Sequence, residues 1–366
     1  MIKFDINNNL GEKYLVRKYD VFKILDNYDM TGWIDKVEID ESVLDIRDSI
    51  KKHSNVLVVI GIGGSYLGSK SIYDMFSKYF DSKFEIIYAG TSMSEEYLKD
   101  LVDYLSDKDF SIDVISKSGS TLETKLAYNY LVDYMKTRYD DINDRVIITT
   151  GESGYLYDEA KKNNYKILSI PDNIGGRYSM MTNAHILPLS FIIDIDKFIL
   201  GYNSYNDLEL SYNYAVSRRS LFDKGKVVEN FVVFEPKYSM FLEWIKQLFG
   251  ESEGKGSYGI LPTSTIFTRD LHSLGQFIQD GNKILFETFI ISNSTDKRIV
   301  KGIRTAHEKG GVIVNSIEID DINEYDIGYL VKFFFYSAAI SAILFDQNPF
   351  DQPGVEVYKS EIKEIL

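Results

Sequence analysis

The sequence contains no cysteine among its 366 residues. Disulfide bonds and thiolate-bound metals are therefore excluded. Histidine is scarce as well, with four residues, and none of them stands in an H-x-x-x-H or H-E-x-x-H spacing. Those spacings place two imidazoles on one face of a helix, where they can bind zinc. The sequence thus predicts no metal site.

The chain also lacks positive charge, with a formal net charge of -14 at pH 7 and a pI near 4.9. Proteins that bind nucleic acid hold the phosphate backbone with clusters of Lys and Arg, so nucleic acid is not an expected partner. A small anion could still bind, provided that its pocket is locally positive.

Long apolar runs are missing too. No stretch approaches the roughly 20 apolar residues of a membrane span, and the first ten residues, MIKFDINNNL, hold no apolar signal core. We therefore expect a cytoplasmic protein that does not contact membranes. Hydrophobic residues make up 44% of the chain, enough to form a core in each of about two domains.

The chain does contain a glycine-rich stretch, VVIGIGGSYLGSK at residues 58–70, where an apolar run meets a helical pattern. Such a junction can bind a phosphate at a helix N-terminus. A dinucleotide fingerprint would need a third glycine where Tyr66 stands, and a P-loop would need the order of Ser69 and Lys70 reversed. Since the stretch departs from each nucleotide-binding motif in this way, the ligand is expected to be another phosphate compound.

Short apolar runs alternate with segments of helical spacing along most of the chain. This alternation is typical of doubly wound α/β domains with mainly parallel sheets. Strands are predicted at 56–60, 84–88, 112–115, 146–149, 167–170, 227–234, 284–291 and 311–319. Helices are predicted at 69–80, 121–139, 238–249, 268–280, 324–345 and 355–366. The pattern leaves residues 1–45 unassigned.

A second strand-to-helix junction, at residues 113–124, carries the stretch SKSGST with four hydroxyls and one lysine. Hydroxyl and N–H groups at a helix N-terminus can donate to phosphate oxygens. Ordinary helix capping by Ser120 or Thr121 is the alternative interpretation. The position favours a binding site, because ligands of open parallel sheets gather beyond the carboxyl ends of the strands.

Three further residues are candidates for chemistry. Arg177 follows two glycines that let the backbone approach a ligand, although an arginine in such a loop more often forms a surface ion pair. Glu251 is predicted on a glycine-rich turn after the 238–249 helix, where burial could make it a general base, although most such residues are solvated. His272 carries an imidazole, a group that can move protons near neutral pH, but a single histidine is more typical of a structural or surface residue.

Six blocks, taken in order, resemble the signature blocks of the glucose-6-phosphate isomerase family. They read VVIGIGGSYLGSKS, VISKSGSTLET, IGGRYS, KQLFGESEGK, DLHSLGQ and NPFDQPGVEVYK. The resemblance runs from about residue 55 to the C-terminus, in a chain shorter than members of that family usually are. It implies two sugar-isomerase domains, each a three-layer αβα sandwich, and a homodimer with a shared active site.

The resemblance also implies domain boundaries and a role for each matching residue. The segment 1–45 would pack on a first domain, 46–187, and a second, 188–350, and a C-terminal helix, 351–366, would carry an active-site lysine. Glu251 matches the catalytic base, Arg177 the residue that stabilises the enediolate, and His272 and Lys359 the ring-opening pair. The matches to substrate- and phosphate-binding residues are Gly64, Ser65, Ser116, Lys117, Ser118, Ser120, Thr121, Gly176, Gln247 and Gln352.

The implied activity is the reversible isomerisation of glucose 6-phosphate and fructose 6-phosphate in glycolysis and gluconeogenesis. It needs no metal or organic cofactor, because one base can move a proton between adjacent carbons. A bifunctional phosphoglucose/phosphomannose isomerase is a rival interpretation. A non-catalytic sugar-phosphate-binding regulator is another, but residues 1–50 contain no basic recognition helix. Retention of all four catalytic matches argues against a pseudoenzyme.

Overall fold

The computed structural model describes residues 2–7, 11–80, 84–119 and 121–365. Its strands form two five-stranded sheets. They are β1 Ile2–Asp5, β2 Val56–Ile60, β3 Glu85–Ala89, β4 Phe110–Ser116, β5 Val146–Thr150, β6 Lys166–Ser169, β7 Val228–Val233, β8 Leu261–Ile266, β9 Leu285–Ser292 and β10 Val314–Ile319.

The α-helices alternate with these strands through most of the chain. They are α1 Glu12–Leu15, α2 Lys18–Leu25, α3 Glu41–Lys51, α4 Leu67–Phe76, α5 Glu95–Leu105, α6 Leu122–Arg138, α7 Tyr155–Asn163, α8 Asn183–Leu189, α9 Ile195–Ser204, α10 Leu208–Asp223, α11 Ser239–Glu253, α12 Gly275–Asp280, α13 Lys297–Lys309, α14 Glu324–Leu344 and α15 Pro353–Ile365. Short 3₁₀ helices occupy Gly32–Ile34, Gly63–Ser65, Gly176–Met181, Pro236–Tyr238 and Arg269–His272.

The chain divides into two compact units. The central unit is Gly32–Ile199, and the terminal unit combines Met1–Thr31 with Leu200–Leu366. The sheet of the central unit has the order β3-β2-β4-β5-β6 and is parallel throughout. Its strands β2, β4 and β5 are buried along their whole length. Burial on both faces explains why the sequence reads there as continuous apolar runs.

The sheet of the terminal unit has the order β1-β10-β9-β7-β8. Four of its strands are parallel, and β1 joins β10 antiparallel. Two of its strands were absent from the sequence prediction. Strand β1 has only four residues, and β8 is a polar edge strand that contains Pro262. Proline is tolerated at an edge because no neighbour needs its missing N–H.

Four consecutive parallel strands have the same order in both sheets. Strand β3 lies on one side of β2, and β4 and β5 lie on the other; likewise β8 lies on one side of β7, and β9 and β10 lie on the other. This arrangement creates a switch point between β2 and β4 in one sheet and between β7 and β9 in the other. The predicted mixed α/β fold with mainly parallel sheets is confirmed.

Helix α14 departs from one expectation. Among the described residues it is the single helix long and apolar enough to cross a membrane by length and composition, with a mean hydropathy of 1.7. The expectation that no such stretch exists is therefore wrong for this helix. Its apolar window is 94% buried inside the protein, where it packs against α2, α10 and α11, so packing accounts for its composition.

Candidate active site

In the central unit, two loops meet at the carboxyl edge of the sheet. Strand β2 leads into the glycine-rich loop 61–66, and its neighbour β4 leads into the SKSGST loop. From β2 the chain continues to β3, and from β4 it continues to β5, on opposite sides. The two predicted phosphate loops therefore flank the switch point, where ligands of open α/β sheets bind.

The SKSGST loop is ordered by its own hydroxyls. The Oγ of Ser116 lies 3.2 Å from the Oγ1 of Thr121 and accepts a hydrogen bond from the backbone N–H of Gly119 at 3.2 Å. Ser118 is exposed, and Ser120 lies outside the described residues. Thr121 is the N-cap residue of α6, yet its side chain makes no capping hydrogen bond. Capping thus does not explain the threonine.

Lys117 ties this loop to the next one along the edge. Its Nζ donates to the carbonyl oxygens of Asp172 at 2.7 Å and of Ile174 at 3.1 Å. Burial lowers the pKa of Lys117, and Asp172 partly opposes that shift. Because an ammonium has three N–H donors, these two contacts take up most of its capacity. Lys117 therefore fixes the spacing of two loops as well as carrying charge.

The glycine-rich loop packs directly against the loop that carries Arg177. A Cβ placed on Gly64 would lie 2.3 Å from the carbonyl carbon of Gly176, so only glycine fits at position 64. The next residue in each loop is a candidate: Ser65 is half-buried at the end of a 3₁₀ helix, and Arg177 is buried in the first turn of another. The close contact thereby brings a hydroxyl and a guanidinium to adjacent loops.

In the terminal unit, Glu251 lies within helix α11, which continues to Glu253. The expectation of a glycine-rich turn at Glu251 is therefore wrong. Gln247, one turn earlier, donates from its Nε2 to the Oε1 of Glu251 at 3.1 Å. This amide therefore orients the carboxylate, while its own oxygen is enclosed without a hydrogen-bond partner.

The helix extends because Glu253 anchors its last turn. Both of its carboxylate oxygens accept from the guanidinium of Arg218, at 2.7 and 2.8 Å, and the Nε of Arg218 donates to Glu229 at 2.6 Å. All three side chains are fully buried. Burial lowers the pKa of Arg218, but the charges of Glu253 and Glu229 outweigh that effect and leave it raised.

A second anchor follows immediately after the helix. The Nζ of Lys255 pairs with the carboxylate of Asp351 at 2.6 Å and also donates to the carbonyl oxygen of Asn348. Only 8% of the Lys255 side chain is exposed. The contact brings the segment that carries Gln352 to the end of α11. Gln247, Glu251 and Gln352 are thus held on one side of the terminal unit.

His272 lies elsewhere in the same unit. The predicted 268–280 helix is broken, and His272 is exposed at the end of the 3₁₀ helix that follows β8. Gly250 packs near Pro262 at the start of β8, because a Cβ added to Gly250 would lie 3.6 Å from the Cγ of Pro262. From Pro262 to Ile266 the strand rises by about 13 Å. Within one chain, Glu251 therefore lies near the amino ends of the strands of this sheet, and His272 lies near their carboxyl ends.

Lys359 is exposed on the C-terminal helix α15, where its Nζ lies 3.0 Å from Glu356. Within the ranges that the structure describes, no three His, Asp or Glu side chains lie close enough together to hold a metal ion.

Sequence reasoning missed several residues that hold these loops. The sequence motifs assign no role to His185. They also do not distinguish Glu253 and Lys255, which form ion pairs, from the neighbouring candidate base Glu251. A signal for Glu253 was available, because it follows the buried Phe249 by four residues, a spacing that puts both on one helix face. No comparable signal points to His185, whose partners are distant in the sequence.

The fold and loops define an α/β protein with a candidate sugar-phosphate site at the switch point of its central sheet. The sequence model of the phosphoglucose isomerase family matches residues 29–208. The glucose-6-phosphate isomerase of Acholeplasma laidlawii is 40% identical over 100% of this chain and 99% of its own length. The chain belongs to the phosphoglucose isomerase family.

Solved structures agree with the fold. A hypothetical protein from Thermus thermophilus aligns with a TM-score of 0.88 at 23% identity, over 100% of this chain and 99% of its own. A glucose-6-phosphate isomerase from Chlamydia trachomatis aligns with a TM-score of 0.77 at 18% identity, over 92% and 77% of the two chains. The predicted fold class is therefore confirmed by both.

Proposed function

We propose that this protein catalyses the reversible interconversion of glucose 6-phosphate and fructose 6-phosphate. The observation that carries the proposal is the full-length relationship to a glucose-6-phosphate isomerase at 40% identity. By the same relationship, the reaction belongs to glycolysis and gluconeogenesis in the cytoplasm, and the central and terminal units correspond to the two sugar-isomerase domains. Sugar phosphate is the expected ligand, and metal and organic cofactors are not required.

Glu251 serves as the base in this proposal. Aldose and ketose differ by a proton that moves between adjacent carbons through a planar enediolate. One carboxylate on one face can take the proton from one carbon and return it to the other. The hydrogen bond from Gln247 to the Oε1 of Glu251 supports this role, because it holds the carboxylate in a fixed orientation.

The central unit supplies the anion-binding groups. The phosphate is bound by the SKSGST loop, through Ser116, Lys117, Ser118, Ser120 and Thr121, with Ser65 and the backbone of Gly64 beside it. Arg177, which follows Gly176, stabilises the negative charge that develops on the enediolate oxygen. A guanidinium remains charged at any working pH, so this stabilisation is independent of titration.

Ring opening requires a proton shuttle between a ring hydroxyl and the ring oxygen, and His272 and Lys359 supply it, with Gln352 as a substrate contact. The positions of Glu251 and His272 near opposite ends of the strands of one sheet support a homodimer. In a symmetric dimer each active site would take Glu251 from one chain and His272 from its partner.

The direct test is a coupled assay of purified protein with glucose 6-phosphate, in the presence of a chelator. We expect turnover without added metal. Mannose 6-phosphate is assayed in parallel, because activity on both sugars would identify a bifunctional enzyme. Binding of sugar phosphate without any turnover would instead support the regulator.

The shared site has a separate test. The variants Glu251→Gln and His272→Leu are each expected to be nearly inactive. When they are mixed under conditions that exchange subunits, half of the dimers become mixed and each holds one intact site, so about a quarter of wild-type activity should return. Mixing two samples of the same variant is the control. No recovery after proven exchange would exclude a site built from two chains.

A further inference from the structure

His185 is a buried histidine that the proposed chemistry does not use. It lies on helix α8 of the central unit and is 1% exposed. Its ring contacts both the glycine-rich loop and the start of the helix that follows that loop. The backbone N–H of Ser69 donates to its Nδ1 at 2.9 Å, and its Nε2 lies 2.8 Å from the carbonyl oxygen of Gly64.

These two contacts define the protonation state of the ring. Because Nδ1 accepts a hydrogen bond, it carries no proton, and the proton on Nε2 is donated to Gly64. Burial lowers the pKa of His185 to about 4, although the bond to Gly64 opposes that shift. At neutral pH the ring is therefore an uncharged group that donates one hydrogen bond to the glycine-rich loop and accepts one from the start of helix α4.

Gly68 leaves room for the imidazole ring of His185. A Cβ on Gly68 would lie 2.9 Å from Cε1 and 3.0 Å from Nδ1 of His185. Any larger residue at position 68 would displace the imidazole or helix α4. Gly68, which is part of the glycine-rich stretch, therefore also leaves the space that the imidazole of His185 occupies.

Ser179 extends the contact to the neighbouring loop. Its Oγ lies 2.6 Å from the carbonyl oxygen of Gly176, 3.2 Å from the Nε2 of His185 and 3.1 Å from the carbonyl oxygen of Gly64. A hydroxyl has one proton, and the shortest of these contacts identifies Gly176 as its acceptor. The single Nε2 proton of His185 is then shared between the carbonyl oxygen of Gly64 at 2.8 Å and the hydroxyl oxygen of Ser179 at 3.2 Å. One imidazole and one hydroxyl therefore link the carbonyl groups of Gly64 and Gly176.

We propose that His185 and Ser179 are positioning residues that fix the distance between Ser65 and Arg177, which directly follow the two linked glycines. This inference rests on the proposed function, in which Ser65 binds the phosphate and Arg177 faces the enediolate. Those groups lie at different parts of one substrate, so their separation must match it. Small errors in such spacing lower the rate strongly.

Three variants test whether His185 and Ser179 act as positioning residues. His185→Leu removes both hydrogen bonds and is expected to lower kcat/KM by about 10- to 100-fold and to weaken binding of inorganic phosphate several-fold. His185→Gln should stay within about threefold of wild type, because an amide also offers one donor and one acceptor. Ser179→Ala should lower kcat by about tenfold and leave phosphate affinity within about twofold, since the bond between His185 and Gly64 remains.

His53→Leu is the matched control, because His53 lies in the same unit and contacts Ser111 at 3.4 Å. Its kcat and KM should equal those of wild type. The proposal is overturned if folded His185→Leu has wild-type kcat, KM and phosphate affinity, or if His185→Gln is as impaired as His185→Leu. If His185→Leu fails to fold, an unchanged kcat in Ser179→Ala overturns it.

Failure of the proposed function would be seen separately. If wild-type protein has no isomerase activity, the phosphate affinities still decide the question of positioning. A loss of affinity in His185→Leu that His185→Gln restores would support the pair. Equal affinities in wild type and both variants would contradict it.

Discussion

In the terminal unit, the buried carboxylates of Glu229 and Glu253 share one buried guanidinium, that of Arg218. In the central unit, Asp113 of β4 is equally buried but has only a hydroxyl beside it. Thr149 donates to its Oδ1 at 2.7 Å, and its Oδ2 has no hydrogen-bond partner. The strands β2–β5 and β7–β10 have the same order in their sheets, so this electrostatic difference does not follow from that shared topology.

The difference extends to the candidate site. In the terminal unit, ion pairs hold the end of α11 and the segment before α15. In the central unit, an uncharged imidazole, a hydroxyl, a close contact between two glycines and the bonds from Lys117 to two carbonyl oxygens hold the loops. Ion pairs between side chains thus stabilise the candidate residues of the terminal unit, whereas hydrogen bonds to backbone carbonyl groups and close packing stabilise the candidate loops of the central unit.

The largest expected effect is a loss of kcat that distinguishes Glu251 from Glu253, two glutamates of helix α11. Glu251→Gln removes the proposed base and should lower kcat by about 10³-fold with KM changed only a few-fold. Glu253→Gln, the matched variant, removes a buried anchor and should mainly lower the denaturation midpoint. Steady-state kinetics and urea denaturation of both variants measure the contrast. Retained turnover in Glu251→Gln would show that the base is another residue.

Arg218→Met should produce the largest loss of stability. The substitution leaves Glu229 and Glu253 buried without a cation, which typically costs about 3–5 kcal/mol. Urea denaturation followed by circular dichroism measures the loss. Arg298→Met is the control, because Arg298 pairs with Asp296 while 91% exposed, and it should unfold like wild type. Equal midpoints for the two variants would mean that the buried pairs contribute little.

Asp113 is expected to make stability depend on pH. Burial raises the pKa of Asp113 to about 7, although the bond from Thr149 opposes the shift. The folded state then holds the proton more tightly than the unfolded state, whose value is near 3.8. The resulting stabilisation is complete below about pH 3.8 and is lost as the pH rises through about 7.

Asp113→Asn should remove that dependence. Between about pH 4.5 and pH 8, the stability of wild type relative to the variant should fall by roughly 3 kcal/mol. Denaturation curves of both proteins at the two pH values measure the change. Asp140→Asn, at an exposed position, should show no such shift. A constant difference between Asp113→Asn and wild type would rule out titration of Asp113 in this range.

The sequence predicts the parts of this comparison that depend on local pattern. Buried parallel strands appear as apolar runs, so eight of the strands could be located, and the motif blocks identified the candidate residues. The supporting contacts could not be predicted, because they join distant positions. Arg218 and Glu253 are 35 residues apart, and His185 lies 121 residues from Gly64. Neither pair stands in a helical or strand spacing, and only the folded chain brings them together.

The smallest expected effect concerns Lys255. Lys255→Met removes the contacts with Asp351 and Asn348 and should release the segment before α15 from the end of α11. Because Gln352 is the proposed substrate contact on that segment, KM should rise by about tenfold while kcat changes by less than about threefold. Lys246→Met is the control, since Lys246 lies within α11 and pairs with Glu243 one turn away. A lower kcat at unchanged KM would instead indicate that Lys255 supports Glu251, so that the ion pairs of the terminal unit position the base rather than the substrate.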